Sequence, residues 1–213
     1  MSDLRIKTCV LGAVSTNCYL VYNEATREAV VVDPADNADY ILNKCSELKI
    51  TPKAVLLTHG HFDHIMAVPE LCRAFHMKVY ASETEDGMLS DSRRNMTGSM
   101  GRQISFHADE LLHDGDELDL LGFQWKVLET PGHTSGSLCY YLPKEDVLLA
   151  GDTLFQESFG RTDLPTGSGS QIMHSIVDKL FVLPEDTMVY PGHGDPTTIG
   201  HEKVYNPISY YMR

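Results

Sequence analysis

Seven consecutive residues constrain this chain more than any other feature: Thr58-His59-Gly60-His61-Phe62-Asp63-His64 follows directly after an apolar, strand-like run. His59 and His61 are two positions apart, so in an extended backbone their side chains project to one face and can converge on one metal ion. Asp63 and His64 begin the next predicted helix, where the chain changes direction. A carboxylate and a third imidazole can therefore reach a second ion close to the first.

Three more candidate ligands, His133, Asp152 and His193, also come directly after apolar runs that are typical of strands. Strands hold side chains more rigidly than long loops do, and metal coordination tolerates little drift. The combined donor set contains imidazole and carboxylate but no thiolate, which suits zinc, manganese or iron(II). Structural zinc sites are commonly closed by cysteine, so the sequence favours a catalytic centre over a structural one.

The chain has 213 residues, which suits a single domain spanning residues 1–213. Each half of the sequence contains several strand patterns and at least one helical pattern. This distribution predicts an α/β fold in which two packed sheets are covered outside by helices, a four-layer αββα sandwich. Residues 82–102 lack such periodicity and are predicted to be a solvated connection, with a flexible flap beside the site as the alternative.

The composition of the chain limits the kinds of partner that it is expected to bind. A formal net charge of −13 argues against nucleic acid, because binding it depends on Lys and Arg that displace counterions from phosphates. No apolar run is long enough to cross a bilayer, and the opening residues 1–7 do not resemble a secretory signal, so we expect a cytoplasmic protein without a membrane partner. The five cysteines are scattered and never spaced as Cys-x-x-Cys, which predicts buried, inert thiols.

The histidine loop, together with Pro131-Gly132-His133, Gly151-Asp152 and Gly192-His193 in this order, resembles the metallo-β-lactamase fold superfamily along essentially the whole chain. The resemblance implies the αββα sandwich and two divalent metal ions, with zinc expected first and iron or manganese as alternatives. It places the seven ligands as follows: His59, His61 and His133 on the first ion, Asp63, His64 and His193 on the second, and Asp152 bridging both.

Further segments narrow the resemblance to the glyoxalase II-like branch, in particular Thr130 to Ser137, Gly151 to Phe155 and Gly160-Arg161-Thr162-Asp163. That branch implies hydrolysis of a small-molecule thioester, such as a hydroxyacylglutathione, or of a related ester, by a hydroxide that bridges the metals. Asp63 is the candidate catalytic residue that accepts a proton or orients this hydroxide. Arg161 is a candidate contact for a substrate carboxylate, with a structural salt bridge as the competing interpretation.

Other interpretations remain open at this level. Persulfide dioxygenases of the same family also carry a Gly-Arg-Thr-Asp segment and use one iron bound by two histidines and one aspartate, which would be His59, His133 and Asp152 here. Lactonase activity is a further alternative, because the same hydroxide attacks any accessible activated carbonyl. A metal-containing sensor without turnover is the third. The sequence does not define the oligomeric state.

Overall fold

A computed structural model describes residues 3–212, so residues 1, 2 and 213 of the predicted single domain lie outside the described residues. The chain separates into two compact units, residues 1–112 with 119–123 and residues 113–118 with 124–213. Each unit is built around one six-stranded sheet. The single domain over residues 1–213 stays a prediction.

The first sheet has the strand order β1-β2-β3-β4-β5-β6. Its strands β1, β2 and β3 pair antiparallel, whereas β3, β4, β5 and β6 run parallel. The bounds are β1 (Leu4–Leu11), β2 (Thr16–Asn23), β3 (Glu28–Val32), β4 (Thr51–Leu56), β5 (Lys78–Ser82) and β6 (Glu110–Leu112). The helices of this unit are α1 (Ala38–Leu48), α2 (Phe62–Ile65), α3 (Val68–Phe75) and α4 (Glu83–Leu89), with a 3-10 turn at Thr97–Met100.

The second sheet has the strand order β14-β13-β10-β9-β8-β7. The bounds are β7 (Glu117–Leu120), β8 (Phe123–Glu129), β9 (Leu138–Leu142), β10 (Val147–Gly151), β13 (Met188–Pro191) and β14 (Thr197–Thr198), while β11 (Leu154–Phe155) and β12 (Ser158–Phe159) form a separate hairpin. The helices are α5 (Gly169–His174), which continues into a π-helical turn at Ser175–Leu180, and α6 (Ile199–Tyr205), followed by a 3-10 segment at Pro207–Met212.

Each unit has its own apolar core. In the first, alternate residues of β1 to β5 pack against α1 and α3, with Leu20, Val31 and Ile41 fully buried. In the second, Leu148 and Val189 of adjacent strands pack against Ile172 and Ile176 of the α5 region. Such burial of apolar side chains contributes about 25 cal/mol per Å² removed from water. The sheets are therefore stiff platforms for the loops at their edges.

The helix predicted to begin at Asp63 and His64 is divided in the structure into α2 and α3. Pro69 stands in the first turn of α3, where its missing N–H has no intrahelical acceptor to lose. The amide of Ala67, just before α3, instead donates to the carbonyl of Pro34. This break makes α2 a short separate turn that carries Asp63 and His64.

Residues 82–102 differ from the predicted solvated connection. They include α4, and the following loop is organised around the fully buried Asn95. Its amide donates to the carbonyls of Leu89 and Ile104, and its carbonyl oxygen accepts from the backbone and hydroxyl of Thr97. The loop is thus fixed by buried hydrogen bonds, which polar composition alone does not reveal.

In the part of the chain that the structure describes, no helix combines the length and the apolar character needed to span a bilayer.

Candidate metal centre

The histidine loop sits at the carboxyl edge of the first sheet. β3 and β4 are parallel neighbours, with Val32 paired to Leu56, so both strands end at the same edge. Asp33 follows β3 and Thr58-His59 follows β4. Because parallel strands deliver their following loops to one place, Asp33 and the histidine loop come together.

Within the first unit the four predicted ligands of this loop lie side by side. The rings of His59 and His61 have centroids 4.8 Å apart in an edge-on arrangement, and those of His59 and His64 have centroids 4.1 Å apart. Nε2 of His64 lies 3.5 Å from Oδ2 of Asp63. His59, His61 and His64 are at most 4% exposed, and the Asp63 side chain is 12% exposed.

Asp33 orients this group, and the sequence analysis did not select it. Its carboxylate accepts from the backbone N–H of Thr58 at 2.8 Å, from the Thr58 hydroxyl at 2.6 Å and from Nδ1–H of His64 at 2.9 Å. A carboxylate on Nδ1 fixes the tautomer that leaves Nε2 as the ligand nitrogen. The sequence feature that could have identified Asp33 is its position, since it is a carboxylate immediately after the apolar β3 and before Pro34.

Glu85 of α4 supports the loop from another side and was also missed. It is 1% exposed, and its Oε1 accepts from the backbone N–H of Gly60 at 2.9 Å. Gly60 has little room for a side chain, since a Cβ there would lie 3.0 Å from Leu89. Glu85 is 25 residues from Gly60 in the sequence, so no local sequence pattern marks it as a partner of the histidine loop.

The second unit follows the same principle. β10 and β13 are parallel, and Gly151 pairs with Pro191, so Asp152 and His193 follow two strands that end together. β8 has the same direction as β10, because each is antiparallel to β9 between them, and His133 follows β8. Three ligand-type residues that are far apart in sequence thus lie at one edge of the second sheet.

The distances among these three residues are those of metal ligands rather than of hydrogen bonds. Oδ2 of Asp152 is 3.5 Å from Nε2 of His133 and 3.5 Å from Nε2 of His193. Ligand atoms at about 2.1 Å from a tetrahedral ion are about 3.4 Å apart, whereas N–H···O bonds are shorter, at about 2.9 Å. The 3.5 Å separation of Asp63 and His64 in the first unit meets the same criterion.

His133 is oriented by the segment that contains Arg161. Its Nδ1–H donates to the backbone carbonyl of Arg161 at 2.8 Å, which leaves Nε2 facing Asp152. The segment must approach closely, since a Cβ on Gly160 would lie 1.9 Å from the carbonyl oxygen of Asp152 and 3.2 Å from Nδ1 of His133. Only glycine fits there.

The Arg161 side chain forms the structural salt bridge that was the competing interpretation. Its Nε and a terminal nitrogen both donate to the Asp163 carboxylate at 2.7 Å. The hydrogen bonds from this guanidinium lower the pKa of Asp163 from 3.8 to about 2. Both side chains are more than half exposed, and the predicted contact of Arg161 with substrate stays a prediction.

The remaining histidines and the cysteines behave as ordinary structural residues. His107, His174 and His201 pair with Asp86, Asp178 and Glu157. Four cysteines are buried, Cys72 is half-buried, and burial raises the pKa of the Cys18 thiol well above its usual range.

The donor chemistry therefore fits divalent metal ions. The side chains able to hold them are His59, His61, Asp63 and His64 in the first unit and His133, Asp152 and His193 in the second. Imidazoles, two of them with an acceptor on Nδ1, and carboxylates, without thiolate, suit zinc, iron or manganese.

Several known proteins are similar to this chain in sequence, and two of them also in solved structure. A solved structure described as the BLEG-1 B3 metallo-beta-lactamase is 42% identical, with a TM-score of 0.91 over 95% of this chain and 98% of that one. The protein TTHA1623, solved in a di-iron-bound form, is 33% identical, with a TM-score of 0.84 over 94% of this chain and 98% of that one. The hydroxyacylglutathione hydrolase GloC of Haemophilus influenzae is 34% identical over 96% of this chain and 98% of its own length.

These matches confirm the predicted α/β fold with two sheets and helices, and the predicted family. The sequence profile described as the metallo-beta-lactamase superfamily matches residues 11–193, a range that contains all seven candidate ligands. The chain belongs to the metallo-β-lactamase superfamily.

Proposed function

We propose that this protein is a two-metal hydrolase that cleaves thioesters of the hydroxyacylglutathione class. In this proposal His59, His61 and His133 bind the first ion, Asp63, His64 and His193 bind the second, and Asp152 bridges them. The observation that carries it is the spacing of the donors: three nitrogen–oxygen separations of 3.5 Å, together with Nδ1 hydrogen bonds that direct Nε2 of His64 and His133 toward carboxylates.

Two divalent ions, when bound, supply hydroxide near neutral pH and polarise the carbonyl of the substrate. The residues of the chain have separate tasks. Asp33 and the Arg161 carbonyl keep His64 and His133 in one tautomer. Asp63, which is slightly exposed, is placed to take up a proton at its carboxylate during attack. Zinc is the expected metal.

The choice of substrate class rests on the relatives. GloC is named a hydroxyacylglutathione hydrolase, and the match extends over nearly the whole length of both proteins. The formal net charge of −13 agrees with a small substrate held at the metals rather than an extended polyanion. We therefore propose a small-molecule thioester as the partner and no nucleic acid.

The test is a steady-state assay on zinc-loaded protein with S-lactoylglutathione, a lactone and a cephalosporin. We expect the thioester to have the highest kcat/KM and chelation to abolish its cleavage. His61→Ala should lower kcat/KM by about 100-fold or more, because one ligand is lost. His107→Ala, which removes an exposed histidine paired with Asp86, is the matched control and should leave the rate unchanged.

Iron gives a second candidate function, since the similar TTHA1623 structure holds two irons. In this alternative, which follows the resemblance to persulfide dioxygenases, His59, His133 and Asp152 would hold a single iron that would activate molecular oxygen, the oxidant of a glutathione persulfide. Oxygen uptake by iron-loaded protein with that persulfide, without cleavage of any thioester, would replace the hydrolase proposal. If the lactone or the cephalosporin has the highest kcat/KM, the protein is still a hydrolase, but its substrate class differs from the one proposed.

A further inference from the structure

Thr16 contacts the candidate catalytic carboxylate although it stands 47 positions before it. Its hydroxyl donates to Oδ2 of Asp63 at 2.8 Å, and the residue is completely buried. Thr16 is the first residue of β2, directly after the turn that connects β1 to β2. The hydrogen bond therefore ties the β1–β2 hairpin to the first turn of α2.

The Thr16 hydroxyl bonds to the Asp63 oxygen that is the candidate metal ligand. Oδ2 is the Asp63 oxygen that lies 3.5 Å from Nε2 of His64, at the separation of two ligands of one ion. The χ2 torsion of an aspartate is broad, so the oxygens of an unsupported carboxylate are not held at one position. A hydroxyl donor to a charged oxygen is a strong hydrogen bond and restricts this rotation.

We propose that Thr16 is a positioning residue for Asp63, which holds Oδ2 in place for the second metal and couples the β1–β2 hairpin to the occupancy of that metal. This inference rests on the proposed two-metal function. By thermodynamic reciprocity, a hydrogen bond that favours metal binding makes the bound metal stabilise the hairpin equally.

The first test compares zinc binding to the wild type, Thr16→Val and Thr16→Ser. Valine has the shape of threonine and suits a strand, so only the donor is removed. Competition with a chelator should show that one of the two zinc sites of Thr16→Val is about 10-fold weaker, in the range found for partners of metal ligands. The other site should keep its affinity, and Thr16→Ser, which retains the hydroxyl, should bind zinc as the wild type does.

Thr97→Val is the matched control. Thr97 is equally buried, and its hydroxyl bonds within the loop around Asn95, with Asn95 and Ile104. This variant should unfold at a lower temperature but bind both zinc ions as the wild type does. The comparison separates the loss of a buried hydroxyl in general from the loss of the bond to Asp63.

The second test measures amide hydrogen exchange over residues 9–18 with and without zinc. Zinc should slow exchange there in the wild type and in Thr16→Ser, and the slowing should be lost in Thr16→Val. This readout does not depend on turnover. Should Thr16→Val fold poorly, Thr16→Ala removes the same hydroxyl with a smaller side chain and is compared in the same way.

The inference is overturned if the hydroxyl-free variant binds both zinc ions with wild-type affinity and shows wild-type protection, while the wild type still cleaves thioester. The proposed function would then stand. A wild type that binds fewer than two zinc ions per chain removes the two-metal proposal, and the inference with it.

Discussion

At the scale of the residue, the candidate ligands are held by partners that have no ligand role. Asp33 is the clearest, because one buried carboxylate accepts three hydrogen bonds from Thr58 and His64. A hydrogen bond to an ionised acceptor is roughly twice as strong as one between neutral groups. The charge of Asp33 therefore strengthens the hydrogen bond that orients His64.

Replacement of Asp33 by asparagine should weaken zinc binding by about 10- to 100-fold, because the ionised acceptor on Nδ1 of His64 is lost. Chelator competition would measure the change. Asp36→Asn, which alters an exposed carboxylate three residues later, is the control and should bind zinc as the wild type does. Unchanged affinity in Asp33→Asn would show that the orientation of His64 does not depend on this charge.

The close approach of Gly160 to the backbone of Asp152 allows a second test. A Cβ there would lie 1.9 Å from the Asp152 carbonyl oxygen, so Gly160→Ala must displace the segment that binds His133. We expect a lower melting temperature and weaker zinc binding. In Gly169→Ala the nearest atom is 3.5 Å away, and alanine favours the helix that begins there, so this variant should be at least as stable as the wild type. Equal behaviour of the two variants would contradict the close-approach argument.

The pair of Arg161 and Asp163 has a predictable pH dependence. Because the folded-state pKa of Asp163 is lowered to about 2, its contribution to stability is present above pH 4 and is lost as pH falls toward 2. Arg161→Gln should return this pKa toward 3.8, as NMR titration of the Asp163 carboxyl carbon would show. The effect on stability should be small, since both side chains are exposed. If the pKa of Asp163 stays near 2 in the variant, the backbone hydrogen bond of Asp163, and not Arg161, lowers it.

At the scale of the element, the seven candidate ligands could be proposed from the sequence because the histidine loop, His133, Asp152 and His193 each come after an apolar, strand-like run. Their supports were less predictable for a physical reason. Asp33, Glu85 and Thr16 act through tertiary contacts over 25 residues or more. Likewise, the division of the predicted helix into α2 and α3 depends on an amide of Ala67 that bonds to Pro34, far away in the chain.

The α6 element shows how buried polar groups fix a segment. Glu202 is completely buried and accepts from the Thr197 hydroxyl, the Glu157 amide and the Asn206 side chain. Glu202→Ala would leave three donors without this acceptor, two of them on the buried Thr197 and Asn206, which should lower the free energy of unfolding by about 3 kcal/mol. Urea denaturation would measure it, with the exposed Glu185→Ala as control. A loss below about 1 kcal/mol would mean that water replaces the carboxylate.

At the scale of the whole molecule, each unit carries some of the candidate ligands. Within each unit, strands that end at one edge bring donors from distant parts of the sequence together. Of the ligands proposed for the first ion, His59 and His61 belong to one unit and His133 belongs to the other.

The most direct test of the proposed two-metal centre is anomalous diffraction from crystals of the zinc-loaded protein, recorded on both sides of the zinc absorption edge. We predict two zinc peaks per chain, the first bound by His59, His61 and His133, the second by Asp63, His64 and His193, with Asp152 between them. A single peak, or peaks bound by residues of only one unit, would contradict this prediction.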